Sequence, residues 1–175
     1  MFESNILIKG KHATYLKFLC DKTKNLGNDY AKNGAGIFKR YVDVLLVAPV
    51  FGVLKNRMAD EDKSIDDSAN ILTEQTIKEQ DNLTFIYRLV VLNDKSLNMS
   101  PDDKINFIFK AKDDKEAMKL FLSYARGGIE YLYEYFNDGA STKDDYYERV
   151  ISLLDDAQLE ATDNYDDMLK SLTGR

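Results

Sequence analysis

The sequence places its potential chemical groups in a few short stretches. Asp43 is the only charged residue between Val42 and Leu54. An unpaired carboxylate in such a run is costly, so it should find a partner or change its protonation. Arg40, Arg88 and Arg126 are the candidate partners, and a structural ion pair is the leading reading. Glu79, with Gln75 and Asn82 near its helix face, has the chemistry of a general base or metal ligand if buried. Asp43, Gln75 and Glu79 are therefore the candidate buried polar groups. The bland reading for Glu79 is a solvated helix face, with Glu74 and Lys78 as an i,i+4 pair. No ExxH spacing accompanies Glu79, so a di-metal site of the four-helix type lacks its histidines.

Gly10-Lys11-His12 superficially suggests a phosphate loop, but neither GxxxxGK[ST] nor GxGxxG occurs in the chain. His12 reads as a residue at a helix start rather than a base. No serine or cysteine stands in a GxSxG context, and Cys20 sits on an apolar stripe. One cysteine and one histidine exclude an internal disulfide and the usual zinc frameworks. No catalytic residue, cofactor or metal is assigned on this basis.

The elements that would position these groups are organised around Gly36 to Arg57. The run Val42–Leu54 is apolar on all sides, as in a helix surrounded by other helices. It is too short for a bilayer, which needs about 20 apolar residues, and basic residues close both ends. Pro49 predicts a kink near 45–49. Before it, Ile6-Leu7-Ile8 alternates like a short extended arm for which the sequence suggests no partner strand. Lys11–Lys24 has helical spacing, and the glycine- and asparagine-rich stretch Asn25–Gly36 is a break.

After it, Met58–Asp67 reads as an acidic loop, followed by a long helix from about Asp67 to Leu92. A stripe drawn along that helix passes through Gln75, Glu79 and Asn82. Ser100-Pro101-Asp102-Asp103 is a helix start: a serine cap, proline in the first turn, then acids. Asp113-Asp114 opens another helix, interrupted by Gly127-Gly128. Two adjacent glycines cost about 1 kcal/mol each relative to alanine and imply a close crossing or a break. Ser141 or Thr142, with Asp144 or Asp145 three residues on, forms a capping box. The last apolar stripes run through Tyr146 to Leu154 and through Leu159 to Leu172. The expected architecture is all-α: one domain, residues 1–175, of six to seven helices around a buried central helix.

Charge is segregated. Residues 1–57 hold ten Lys/Arg against four Asp/Glu, and residues 58–175 hold fourteen against twenty-six. Either the basic part packs on the acidic part, the leading reading, or it faces an anionic partner. Lys11, Lys17, Lys22, Lys39 and Arg40 are the nucleic-acid candidates. Against that reading stand a pI of about 4.9 and the lack of any helix-turn-helix, zinc or RNA-recognition signature. The acidic, tyrosine-rich C-terminal third supplies the candidate protein-binding face: Tyr131, Tyr135, Asp144, Asp145, Tyr146 and Tyr147. No leader peptide or membrane span is expected, and a reducing cytoplasm suits the single cysteine.

The function expected is that of a non-enzymatic helical accessory subunit binding a larger protein partner. A prior for small helical proteins places it in a bacterial or phage nucleic-acid-processing or defence assembly. The alternative is a nucleic-acid-binding protein using the basic first third. A carboxylate metal-dependent enzyme comes third, and self-association is left open.

Overall fold

The structure, a computed structural model, describes residues 2–20, 34–94, 96–110, 115–140 and 142–173. The expected end of the first helix, most of the glycine-rich break and the Asp113-Asp114 helix start lie outside the described residues. The chain divides into two units, Met1–Asn137 and Asp138–Arg175. Seven helices and a two-stranded sheet are present among the described residues, so the fold is essentially all-α.

In the first unit, β1 (Ile6–Lys9) pairs antiparallel with β2 (Ser68–Ile71), Ile6 opposite Ile71 and Ile8 opposite Ala69. These four residues are buried, while Leu7 is exposed. A period of two on each strand thus gives the pair one apolar face. β2 corrects the expectation of a helix beginning near Asp67. Ser68 to Ile71 alternates exposed and buried positions, and tertiary pairing overrides the helical reading.

Gly10 turns the chain from β1 into α1 (Lys11–Leu19) at φ +62°, where a Cβ would collide with Asp62. The Lys11 backbone N–H at the start of α1 donates to Asp62 Oδ2 at 2.6 Å. Hydrogen bonds from that N–H first, then from Ser64, hold the Asp62 carboxyl at about 2. A carboxylate from another segment thereby satisfies a donor that a helix start leaves open.

The central helix, α2, spans Tyr41–Leu54 with Pro49 inside it. None of its residues is exposed. Asp43 is the third helical residue, and its carboxylate reaches back to the Arg40 backbone N–H at 2.9 Å. One charge is tolerated in the apolar run because it sits in the first turn, where it satisfies a donor and suits the helix dipole.

α6 (Lys115–Asn137) is the longest helix of this unit, about 34 Å at 1.5 Å per residue. It packs along α2, and three glycines set the approach. A Cβ on Gly52 would come within 3.0 Å of the Tyr124 backbone. One on Gly127 would do the same at Arg57, and one on Gly128 at Ala48. The adjacent glycines therefore mark a close crossing in an unbroken helix.

α3 (Thr73–Lys78) and α4 (Gln80–Asn93) are separate helices that meet at Glu79. That break changes the phase of the expected stripe. Thr76, Leu83, Tyr87, Val90 and Val91 are buried, whereas Gln75 and Glu79 are half-buried and Asn82 is exposed. Phe2, Tyr87 and Phe121 pack edge to face and tilted, with ring centroids 5.7–6.4 Å apart. At the end of α4, buried Asp94 accepts hydrogen bonds from the Tyr124 hydroxyl at 2.7 Å, Ser96 Oγ at 2.8 Å and the Leu97 N–H at 2.6 Å. This ties the following loop to α6. α5 (Pro101–Lys110) begins with Ser100 Oγ accepting the Asp103 N–H at 3.2 Å, the expected cap.

The second unit contains α7 (Lys143–Thr173), 31 residues long. Thr142 and Asp145 form a reciprocal cap: the Thr142 N–H donates to Asp145 Oδ2 at 2.7 Å, and the Asp145 N–H donates to Thr142 Oγ1 at 3.2 Å. Among the described residues no helix is long and apolar enough to cross a membrane.

Candidate functional site

The segregated charges meet inside the first unit. Lys9 pairs with Glu61 at 3.3 Å, Lys11 with Glu130 at 2.8 Å, and Lys17 with Asp67. Arg40 pairs with Glu79 at 2.8 Å, and Arg57 with Glu130 at 3.2 Å and Glu134 at 2.6 Å. Each of these cations lies in residues 1–57, and each of these carboxylates lies beyond. Partly exposed pairs of this kind contribute about 0–1 kcal/mol each. Their larger effect is to neutralise the basic segment from within. Of the nucleic-acid candidates, Lys11, Lys17 and Arg40 have internal carboxylate partners, Lys39 is exposed, and Lys22 lies outside the described residues.

The most buried part of this seam is at His12, which is 0% exposed. Its Nε2–H donates to Glu130 Oε1 at 3.0 Å, while Nδ1 has no hydrogen-bond partner among the described residues. Burial lowers the His12 pKa from its ordinary value, against the pull of Glu130 in the other direction. Burial also opposes the Glu130 charge. Hydrogen bonds from Lys11 and His12, with the positive field of Lys11, nonetheless keep that carboxyl below its ordinary value. The arrangement is a neutral imidazole supporting an ionised carboxylate that two cations share. A fully covered His12 cannot touch a substrate, so the cluster acts as a strut between α1, α6 and the end of α2. No sequence signal announces it: His12 and Glu130 are 118 residues apart, and neither belongs to a spaced motif.

Arg40 brings Asp43 and Glu79 together. Its Nε donates to Asp43 Oδ1 at 2.9 Å, and Nη2 donates to Glu79 Oε1 at 2.8 Å. Asn82 donates to the other Glu79 oxygen at 3.0 Å. Hydrogen bonds from Asn82 and Arg40 hold the Glu79 carboxyl below its ordinary value. The guanidinium thus occupies the position of a shared cation. Gln75, half-buried, lies one helical turn before Glu79. Among the described residues no group of three or more His, Cys, Asp or Glu could hold a metal ion.

The tyrosine and acid candidates fall on both units. On α6, Tyr131 stacks on Phe51 at 5.7 Å and on Tyr135 at 6.2 Å, with the Lys55 ammonium 5.4 Å from the Tyr131 ring centre. Tyr133, on another side of the helix, stacks on Tyr15 at 3.8 Å. On α7, Asp144 is exposed, Asp145 caps the helix, and Tyr146 is half-buried. Tyr147, Ile151 and Leu154 are 73%, 58% and 61% exposed. Their spacing of four and three residues puts them on one face. The unit that carries them has ten Asp/Glu against four Lys/Arg. The sequence places Ile151 and Leu154 on one apolar stripe with Tyr146, Tyr147, Val150 and Leu153, of which Leu153 is buried. The structure instead places Ile151 and Leu154 on an outer face.

Residues 21–172 match the family described as DNA sulphur modification system-associated protein 4, and the chain belongs to that family. No curated protein and no solved structure matches the chain.

Proposed function

We propose that this member of a DNA sulphur modification system-associated family is a non-enzymatic accessory subunit of that system. It docks a larger, basic protein partner through α7 and works in the cytoplasm. The observation that carries the reading is the row Tyr147, Ile151 and Leu154, open to solvent on a strongly acidic helix. An amphipathic helix lays such a row into an apolar groove, and the surrounding charge selects a basic rim. Tyr146, Asp144 and Asp145 flank the row, and Tyr131 and Tyr135 add a second aromatic surface on α6. The family supports the setting. The internal ion pairs of Lys11, Lys17 and Arg40 weigh against the basic first third as the main contact.

The test is co-purification of the tagged chain with the proteins of the modification system, with nuclease present and at low and high salt. Ile151→Glu with Leu154→Glu should abolish recovery of the partner while leaving circular dichroism unchanged. Each buried apolar anchor is worth about 2 kcal/mol at an interface, so the double change weakens binding by several hundredfold or more. Charge reversal at Lys11, Lys17 and Arg40 should leave recovery intact. Partner retention by the double variant, or release of all partners by nuclease, refutes the proposal.

A further inference from the structure

A groove of about 430 Å³ lies between the first half of α6 and the segment that follows α2. Met58, Leu97 and Leu120 give it an apolar lining, and Arg126, Lys119 and Asp60 bring charge. Its walls are fixed. The Ala59 N–H donates to the Ser123 carbonyl at 3.0 Å, and Arg126 Nε donates to the Ala59 carbonyl at 2.8 Å. The Arg57–Met58 backbone lies against Gly127, where a Cβ would not fit. A site held by backbone contacts on a helix is pre-formed, which limits the ordering cost of binding.

Arg126 differs from Arg40 and Arg57. Arg40 and Arg57 each hold two carboxylates. Arg126 makes no ion pair among the described residues, and its one hydrogen bond there uses Nε. It is half-buried, and burial lowers its pKa from the ordinary value, with the more distant Glu61 and Asp60 acting the other way. A partly desolvated guanidinium with its terminal N–H groups uncommitted is matched to a planar oxyanion, which it binds in a two-pronged manner.

We infer that this groove receives the C-terminus of a partner polypeptide that ends in an apolar residue, its carboxylate on Arg126 and its last side chain against Met58, Leu97 and Leu120. One terminal residue supplies both a carboxylate and an adjacent apolar side chain. An internal Asp or Glu brings the charge without the adjacent apolar group. Asp60 and Glu116, also at the groove, disfavour a polyanion such as nucleic acid, whereas a single carboxylate is met by the Arg126 N–H groups that hold no carboxylate among the described residues. This site lies in the first unit and does not rest on the docking role proposed for α7.

The experiment is fluorescence polarisation of a fluorescein-labelled hexapeptide ending in alanine-leucine, as the free acid and as its C-terminal amide, against the full chain. The free acid should bind at least about tenfold more tightly than the amide, the usual value of a charge-assisted hydrogen-bond pair. Arg126→Met should bring the free acid down to the amide's level. Because that change also removes the bond to Ala59, Leu120→Gln provides a second arm that keeps the clamp. It should weaken acid and amide alike and preserve their ratio. Equal binding of acid and amide, or no binding of the acid at millimolar protein, overturns the inference. Displacement of the peptide by inorganic phosphate at concentrations where acetate has no effect also overturns it, in favour of a phosphate site.

Discussion

Replacing Gly128 by alanine separates two opposing effects of different sign. In an isolated helix the substitution is favourable by about 1 kcal/mol. In the crossing, the new Cβ would lie within 3.0 Å of the Ala48 carbonyl group. The obstruction is backbone in the middle of a buried helix, so it cannot rotate away as a side-chain tip does. Overpacking of this kind costs about 1–3 kcal/mol, and more where nothing yields. With backbone as the obstacle the upper end of that cost applies, so the net expectation is a loss of about 2 kcal/mol or more, or about 4–8 °C in melting temperature for a unit of this size. Ala48→Gly in the same chain should give no rescue, because the carbonyl is the obstacle and it remains. Thermal unfolding followed at 222 nm, with urea titration at 25 °C, measures both. A melting temperature equal to or above that of the parent chain refutes the reasoning, since it would mean that α2 and α6 have room for a methyl group at their crossing.

Other perturbations test the rest of the core. Glu130→Ala should cost about 3 kcal/mol, because it leaves His12 with neither ring nitrogen paired and removes the carboxylate facing Lys11 and Arg57. Glu130→Gln, which still accepts from His12, should cost clearly less in the same urea titration. Stability should be full above pH 6.5 and decline below it. Burial holds His12 below its ordinary 6.5, so the unfolded chain takes up that proton first as pH falls. His12→Gln should flatten the slope that sets in below pH 6.5, leaving the separate loss below pH 4.5 that follows from the lowered Glu130 carboxyl. Tyr124→Phe should cost about 1–2 kcal/mol by removing a donor from buried Asp94, and a change within experimental error would show that the tie is not needed.

What the sequence revealed was local. Ser100 before Pro101 and Thr142 before Asp145 announce caps because donor and acceptor are three residues apart. Gly127-Gly128 announces a close crossing because two glycines inside a helical stripe need a reason. Asp43 announces a nearby cation, and Arg40 supplies it within one turn. What it hid was long-range. Ser68–Ile71 is four residues of weak alternation whose meaning comes only from β1, sixty residues earlier. The break at Glu79 carries neither proline nor glycine, so the helical period in the sequence runs through it. Ile151 and Leu154 look like core residues on any helical wheel, since periodicity reports a face and not what covers it. Neither the Arg126 groove nor the His12–Glu130 strut has a spacing signature.

The pairing of β1 with β2 and the link from His12 to Glu130 also set an order of assembly. The ribosome delivers α1 and the water-averse α2 well before the glycine face of α6 that encloses them. Until residue 130 emerges, Lys11 and Arg57 lack their shared carboxylate and α2 lacks the cover of α6. Closure therefore awaits a late segment, and a nascent or truncated chain ending before α6 presents the sticky surface of Tyr41–Leu54 to chaperones and to other copies of itself.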